Sequence, residues 1–546
     1  MTIQYSGNLL VRVRQRPFTA LFVGAQPLAL PGYLPLEPLF RGFHASPRFS
    51  AAAPMDHWLV ARPSAGGDAH PWDEAHRVAA NAQYSIYVEP DLLHESGSGP
   101  AETAAPAPAG LDPDWPPATL VSPGWHLLDG FTGFAQVRGT ATGTGVRIAH
   151  LDTGYWPPHV STPRHIRRDL GYNFYENNHN TTDPGTTGLL RNPGHGTATL
   201  AILAGNALDL IYQGKQFAGD FGGAPDAEVV PVRIGPSVVH FYSSAMAQGM
   251  DYALGPSGDP ANSLPAGKCD VVTISHGGLP AASWADAANH LYDAGIVTVA
   301  ASGDNFADLP THLVVYPSAF NRVVTALGAT YDKTPYITGK FGELQENWGP
   351  VGVMAKAIAA YTPNVAWMKL NTICGFDMDG AGTSATTPQI AAACGLWLQL
   401  YGSNYPAGWQ RVEACHAALL RSAVPGNGGA AYLGHGLLDV PKMLDPALAE
   451  AIRQDIQANR IQPSPPDDVS FPFLRLLLGL GPPGSEEQRM YETEAAQLVY
   501  RSRNPELAAA FDAHAAGAAL TPAAIARARQ LLKVEPDIST ALAARL

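Results

Sequence analysis

A chain of 546 residues with 46% hydrophobic and only 15% charged residues has the composition of a folded globular enzyme and excludes a disordered one. Its formal net charge of -13 argues against nucleic acid or an anionic membrane as the main partner, because both call for a basic footprint. The length allows one large core and two smaller modules.

In chain order, the first residues lack a basic stretch followed by an apolar one, so no secretory leader is expected and the cytoplasm is the expected compartment. The apolar run at 19–40 is broken by Pro27, Pro31, Pro35 and Pro38 and cannot span a membrane as a continuous helix. Residues 57–62 and 84–90 read as strands flanking a short helix at 72–80, half of a small α+β module expected over 1–94. Residues 95–117, rich in Pro, Ala, Gly and Ser, read as an exposed linker.

From 118 to 444 strand and helix patterns alternate: a strand ending at Asp152, a helix after His195, a strand at 229–233, a helix at 243–253, a strand at 270–275, a helix at 283–294 and a strand at 296–301. Such alternation predicts an α/β fold, a parallel β-sheet flanked by helices on both faces, with reactive groups at strand carboxyl ends and helix starts. Asp152 ends a strand, His195 sits between Gly194 and Gly196 at a helix start, and Ser384 follows the Gly380-Ala381-Gly382-Thr383 turn into a small-residue helix. A Gly-Thr-Ser turn is also an ordinary helix cap, but an Asp, a His and a Ser so placed, in that order, are the parts of an activated nucleophile. Four cysteines, at 269, 374, 394 and 415, show no Cys-x-x-Cys spacing and are expected as buried thiols, with a 374–394 disulfide left open. Past 444, helix starts at 445–446, 484–488, 504–505 and 521–522 predict a helical extension over 445–546, packed on the catalytic domain or on a partner and carrying no chemistry.

Asp152-Thr153-Gly154, His195-Gly196-Thr197 and Gly382-Thr383-Ser384 with Pro388 following resemble the motifs of the subtilisin-like serine peptidases, the subtilases. Gly222-Gly223-Ala224-Pro225, the strand Val271-Val272-Thr273-Ile274-Ser275-His276-Gly277-Gly278 and Gly434-His435-Gly436 extend the resemblance over about 125–444. It implies a serine endopeptidase with Ser384 as nucleophile, His195 as base and Asp152 as its orienting carboxylate, acting on protein or peptide substrates. It also implies that Ser275, His276, Gly277 and Gly278 line the substrate strand. Tyr87-Val88-Glu89-Pro90-Asp91 is similar to the end of the family's propeptides, which implies an autoinhibited precursor, a zymogen, whose N-terminal module is an intramolecular inhibitor and whose linker is the place of self-processing. No cofactor is expected, and the segment 206–221 shows no calcium-loop pattern, so no metal is expected.

The sequence departs from the family at the oxyanion hole. After Ala300-Ala301-Ser302-Gly303, where the resemblance implies an asparagine donor, stands Asp304, with Asn305 next. Four arrangements are compatible: a neutral Asp304 that donates, a bulge that brings Asn305 into place, a slow enzyme relying on the Ser384 backbone N–H, or an Asp304 turned away. The alternative in kind is a silent member of the fold that binds peptides without cutting them.

Overall fold

The structure, a computed structural model, describes residues 4–14, 30–40, 56–64, 69–82, 85–95, 122–187, 191–255, 267–306, 312–338, 344–468, 472–479, 484–515 and 517–546. The expected linker, save Glu95, lies outside the described residues, as does the 19–29 part of the proline-broken run.

Near the N-terminus, strands β1 (Tyr5–Arg14), β2 (Glu37–Pro38), β3 (Asp56–Ala61) and β4 (Ile86–Glu95) form an antiparallel sheet in the order β4-β1-β3-β2, joined by helix α1 (Pro71–Asn81). The strand patterns at 57–62 and 84–90 and the helix pattern at 72–80 fall on β3, β4 and α1, whereas the central strand β1 was not anticipated. Its residues do not alternate, because both faces are covered: Leu9, Leu10, Val11 and Val13 are buried, and so is the charged Arg12.

The larger part carries β5 (Arg147–Asp152), β6 (Tyr172–Asn173), α2 (His195–Ala204), the hairpin β7 (Ala207–Tyr212) and β8 (Lys215–Asp220), β9 (Glu228–Arg233) and β10 (His240–Tyr242). There follow α3 (Ser243–Tyr252), β11 (Val271–Ile274), α4 (Ala282–Asp293), β12 (Val297–Ala301), β13 (Asp304–Phe306), β14 (Val324–Ala329), β15 (Leu344–Glu346) and β16 (Ala357–Tyr361). The ribbon β17 (Val365–Met368) and β18 (Phe376–Gly380) leads into the long helix α5 (Thr383–Tyr401). Seven strands make a parallel sheet in the order β16-β14-β12-β11-β5-β9-β6. Successive side chains feed opposite cores. Ala149, Leu151, Val230, Val232, Val272 and Ile274 pack with α3 and α4, while Ile148, Val229 and Val271 pack with α2 and α5. The fold is thus the expected α/β sheet with helices on both faces. In the segment 206–221, Gln213 and Gly214, both at positive φ, close a two-residue hairpin.

Beyond 444 lie α6 (Pro446–Gln457), α7 (Pro472–Leu478), α8 (Glu486–Arg501), α9 (Pro505–Ala515), α10 (Pro522–Lys533) and α11 (Thr540–Arg545). The expected starts are visible as caps: the Asp445 carboxylate accepts the Ala447 N–H at 2.7 Å, and the Ser485 and Thr521 hydroxyls accept those of Gln488 and Ala524, each at 3.2 Å. Helices α7 and α11 were not anticipated. No helix among the described residues is long and apolar enough to cross a membrane. All four cysteines are free; Cys374 is exposed, against the expectation of buried thiols, because it lies in the turn between β17 and β18. The 374–394 disulfide is therefore absent, Cys394 being sealed inside α5.

Candidate active site

Asp152 is the last residue of β5 and is completely buried. Three donors converge on its carboxylate: His195 Nδ1 on Oδ1 at 2.7 Å, the Thr153 N–H on Oδ1 at 2.7 Å, and the Thr199 hydroxyl on Oδ2 at 2.9 Å. Burial alone would raise this carboxyl, but the charges of His195 and His276 and the His195 hydrogen bond outweigh it and hold it well below the usual carboxylate range. Behind Thr199 stands a second buried histidine on β5, His150, whose Nε2 lies 2.9 Å from the Thr199 hydroxyl and 3.6 Å from Asp152 Oδ2.

His195 opens α2, and its flanking glycines have steric reasons. Gly194 has φ of 86°, and a Cβ on Gly196 would run into the Gly154 carbonyl. Asp183 ties the turn together: its Oδ2 accepts from the Thr153 hydroxyl at 2.7 Å and from the Gly194 N–H at 3.2 Å, while the Thr153 oxygen accepts the Gly196 N–H at 3.1 Å. The His195 ring is only 1% exposed, enclosed between His276 at 5.6 Å and Trp367 of β17 at 5.5 Å, both edge to face.

Ser384 is the second residue of α5 and is half-buried. Gly382 before it has φ of 79°, and a side chain there would lie 2.7 Å from the Asp304 carboxylate. The Ser384 hydroxyl donates to the Ser275 carbonyl at 3.2 Å, and the Ser275 hydroxyl donates to the Ser384 carbonyl at 3.1 Å. This reciprocal pair fastens the start of α5 to the end of β11. Among the described residues no hydrogen bond joins Ser384 to His195; the Ser384 hydroxyl is committed to the Ser275 carbonyl.

The two candidates for the oxyanion hole point different ways. On β13, Asp304 faces α5, its Oδ1 accepting the Thr383 N–H at 2.9 Å and its Oδ2 the Thr383 hydroxyl at 3.3 Å. Of the four arrangements, the one with Asp304 turned away is therefore corrected: the carboxyl caps the helix that carries Ser384. Burial raises it to about 6, against the Thr383 hydrogen bonds. Asn305, the next residue of the strand, accepts from Gln345 Nε2 at 3.1 Å across the β13–β15 ladder. Strand alternation sends the two side chains to opposite sides, and the bulge that would turn Asn305 toward Ser384 is not formed. Opposite Asp304 in that ladder stands Glu346, completely buried, whose carboxyl is pushed well above its ordinary value by burial and by the Asp304 charge.

Of the other expected substrate-side residues, His276 faces His195, burial lowering its imidazole to about 4 against the pull of Asp152. Gly277 lies against Val315, and the Gly278 backbone pairs with Tyr316. The space over Gly278 is filled by His94 of β4, whose Nδ1 accepts the Leu279 N–H at 3.3 Å and whose ring stacks on Phe241 at 4.8 Å. The end of β4 pairs antiparallel with β10, in the register Leu93 with Tyr242, His94 with Phe241 and Glu95 with His240. Ligand-type atoms of Asp152, His195 and His276 lie within 4.8 Å of one another, but both Asp152 oxygens are already committed to the donors above.

His150, Thr199 and Asp183 escaped the sequence reading. The first two sit inside segments patterned as an apolar strand and a small-residue helix, and a lone Asp in a loop carries no spacing signal.

A family profile described as the subtilase family matches residues 143–436, more than half of the chain. Subtilisin DY of Bacillus licheniformis is 26% identical over 303 residues, covering 55% of this chain and 90% of that protein. Alkaline elastase YaB of Bacillus sp. (strain YaB) is 26% identical over 366 residues, covering 64% of this chain and 81% of that protein. A solved protease from Pseudoalteromonas arctica is 22% identical, with 60% of this chain and 97% of that one covered and a TM-score of 0.47.

Proposed function

Since the chain belongs to the subtilase family and is a serine endopeptidase, we propose that Asp152, His195 and Ser384 are its catalytic triad and that β4 keeps its cleft closed in a precursor. The 2.7 Å bond between His195 Nδ1 and Asp152 carries this reading, because it leaves Nε2 as the basic nitrogen. Nε2 takes the proton as Ser384 Oγ attacks the peptide carbonyl, and returns it to the leaving amine. The Asp152 carboxylate, held by Thr153 and Thr199, stabilises the imidazolium formed in between. Water then repeats the sequence on the acyl-enzyme. The Ser384 N–H belongs to the first turn of α5, where the helix offers it no acceptor, and is available to the oxyanion.

Inhibition by the N-terminal sheet is supported by three contacts. The Glu89 carboxylate accepts the N–H groups of Ala282 and Ser283 at the start of α4, at 2.8 and 3.1 Å. Asp91 accepts the Ser244 N–H and hydroxyl at the start of α3, at 2.8 and 2.9 Å. His94 and β10 complete an added-strand pairing of the kind a substrate peptide would make.

A second reading, peptide binding without hydrolysis, is favoured by the Ser384 hydroxyl turned to Ser275 and by the carboxyl at Asp304. Fluorophosphonate labelling of the purified chain decides between them. Labelling at Ser384 that disappears in Ser384→Ala and falls by about 10³-fold or more in His195→Ala is expected of the peptidase. No labelling, even after the N-terminal segment is removed, selects the binding protein.

A further inference from the structure

The C-terminal helices pack on the N-terminal sheet of the same chain. One apolar core takes in β1, β3 and α1, the outer faces of α3 and α4, and Leu477, Met490, Ala495 and Leu532 from α7, α8 and α10. Within it, single polar groups join all three parts of the chain. Arg12 of β1, 3% exposed, gives Nη1 to Asp286 of α4 at 3.1 Å and Nη2 to Glu486 of α8 at 2.8 Å. Gln497 of α8 accepts from Trp72 Nε1 of α1 at 2.8 Å and donates to the Pro280 carbonyl before α4 at 2.8 Å. Helix α1 is gripped at a second point: Asp73 accepts the N–H groups of Thr540 and Ala541 of α11, at 3.1 and 3.0 Å, and His76 meets Glu494 at 3.2 Å.

We propose that these helices are a brace whose partner is the N-terminal sheet of the same chain, and that the sheet stays seated on α3 and α4 after the linker is severed. The proposal rests on reading β4 as the plug of the cleft, and it names what governs removal of that plug. A sheet held only by Glu89, Asp91 and the short β4–β10 ladder could leave once cut. Here departure must also part Asp286 and Glu486 from the Arg12 guanidinium and Gln497 from the Trp72 indole, and uncover the apolar core they share. Release therefore requires the C-terminal helices to be loosened first, by a cut or by a ligand that separates α8 from α1.

The test uses the full Ser384→Ala chain with a recognition sequence for a site-specific protease placed within 96–117 and an affinity tag ahead of β1. After cutting, the tagged fragment is immobilised and the loss of the larger fragment is timed. The larger fragment is expected to remain bound over hours, with loss at least about 30-fold faster in Arg12→Leu, the effect of truncating one member of a buried charged pair. Gln497→Ala, which removes hydrogen bonds without stranding a charge, is the second variant should Arg12→Leu fail to fold, and about a 10-fold faster loss is expected there. Equal rates in the unsubstituted chain and in Gln497→Ala overturn the brace. Because the cut is made by an added protease and Ser384 is absent, the result stands apart from the peptidase reading, which fluorophosphonate labelling tests separately.

Discussion

At position 304 the chain carries an acid, and the structure gives that acid the duty of capping the helix of Ser384. Its raised value, about 6 against an ordinary 3.8, means that the folded chain holds this proton more tightly than the unfolded one. Stability from this group is therefore full below about pH 4, declines as pH rises toward 6 and is level above. Were Asp304 to border the oxyanion of the proposed reaction, the neutral acid would offer it an O–H and the carboxylate would repel it. Asp304→Asn is expected to speed fluorophosphonate labelling about 10²-fold at pH 8, the scale on which one such donor acts in a subtilisin, and far less at pH 5. A gain independent of pH would show that Asp304 does not titrate in this role. Asp152, His195 and Ser384 were legible because each stands in a short motif with its own glycines, and those glycines have visible reasons at Gly194, Gly196 and Gly382. The hydroxyl of Thr199 and the ring of His150 were not, because polar atoms buried inside an apolar pattern leave it unbroken.

Among elements, β4 shows how one strand performs two kinds of docking. Its middle acids cap two helices and its end extends another strand, so its hydrogen bonds are spread over α3, α4 and β10. Glu89→Ala is expected to leave the first N–H groups of α4 without their acceptor and to lower global stability by about 1 to 3 kcal/mol in urea unfolding, with an unchanged slope. The parallel strands could be read from the sequence because apolar runs between helix patterns have few other uses. Strand β1 could not, since Arg12 and Arg14 mark it as exposed to any rule of pattern, and the partners that bury Arg12 are Asp286 and Glu486, hundreds of residues away.

For the molecule as a whole, the C-terminal region was legible as helices but not as a partner of the N-terminus, because amphipathic spacing reports that a face is apolar and not what covers it. The division of the thiols gives a simple check on the whole assembly. One thiol per chain, that of Cys374, is expected to react promptly with a disulfide reagent in the native protein, and all four after unfolding. Rapid reaction of a second thiol would mean that the core around Cys269, Cys394 or Cys415 opens readily.

The bond between Arg12 and Glu486 spans 474 positions of the chain, so Arg12 is synthesised long before the acid on α8 that it meets. Synthesis proceeds from the N-terminus at about 5 to 20 residues per second, so β1 stands without its acid on α8 for roughly half a minute to a minute and a half. During that interval the face of α1 that carries Trp72 and His76 lacks its cover from α8, and a chain truncated before α8 would keep it bare.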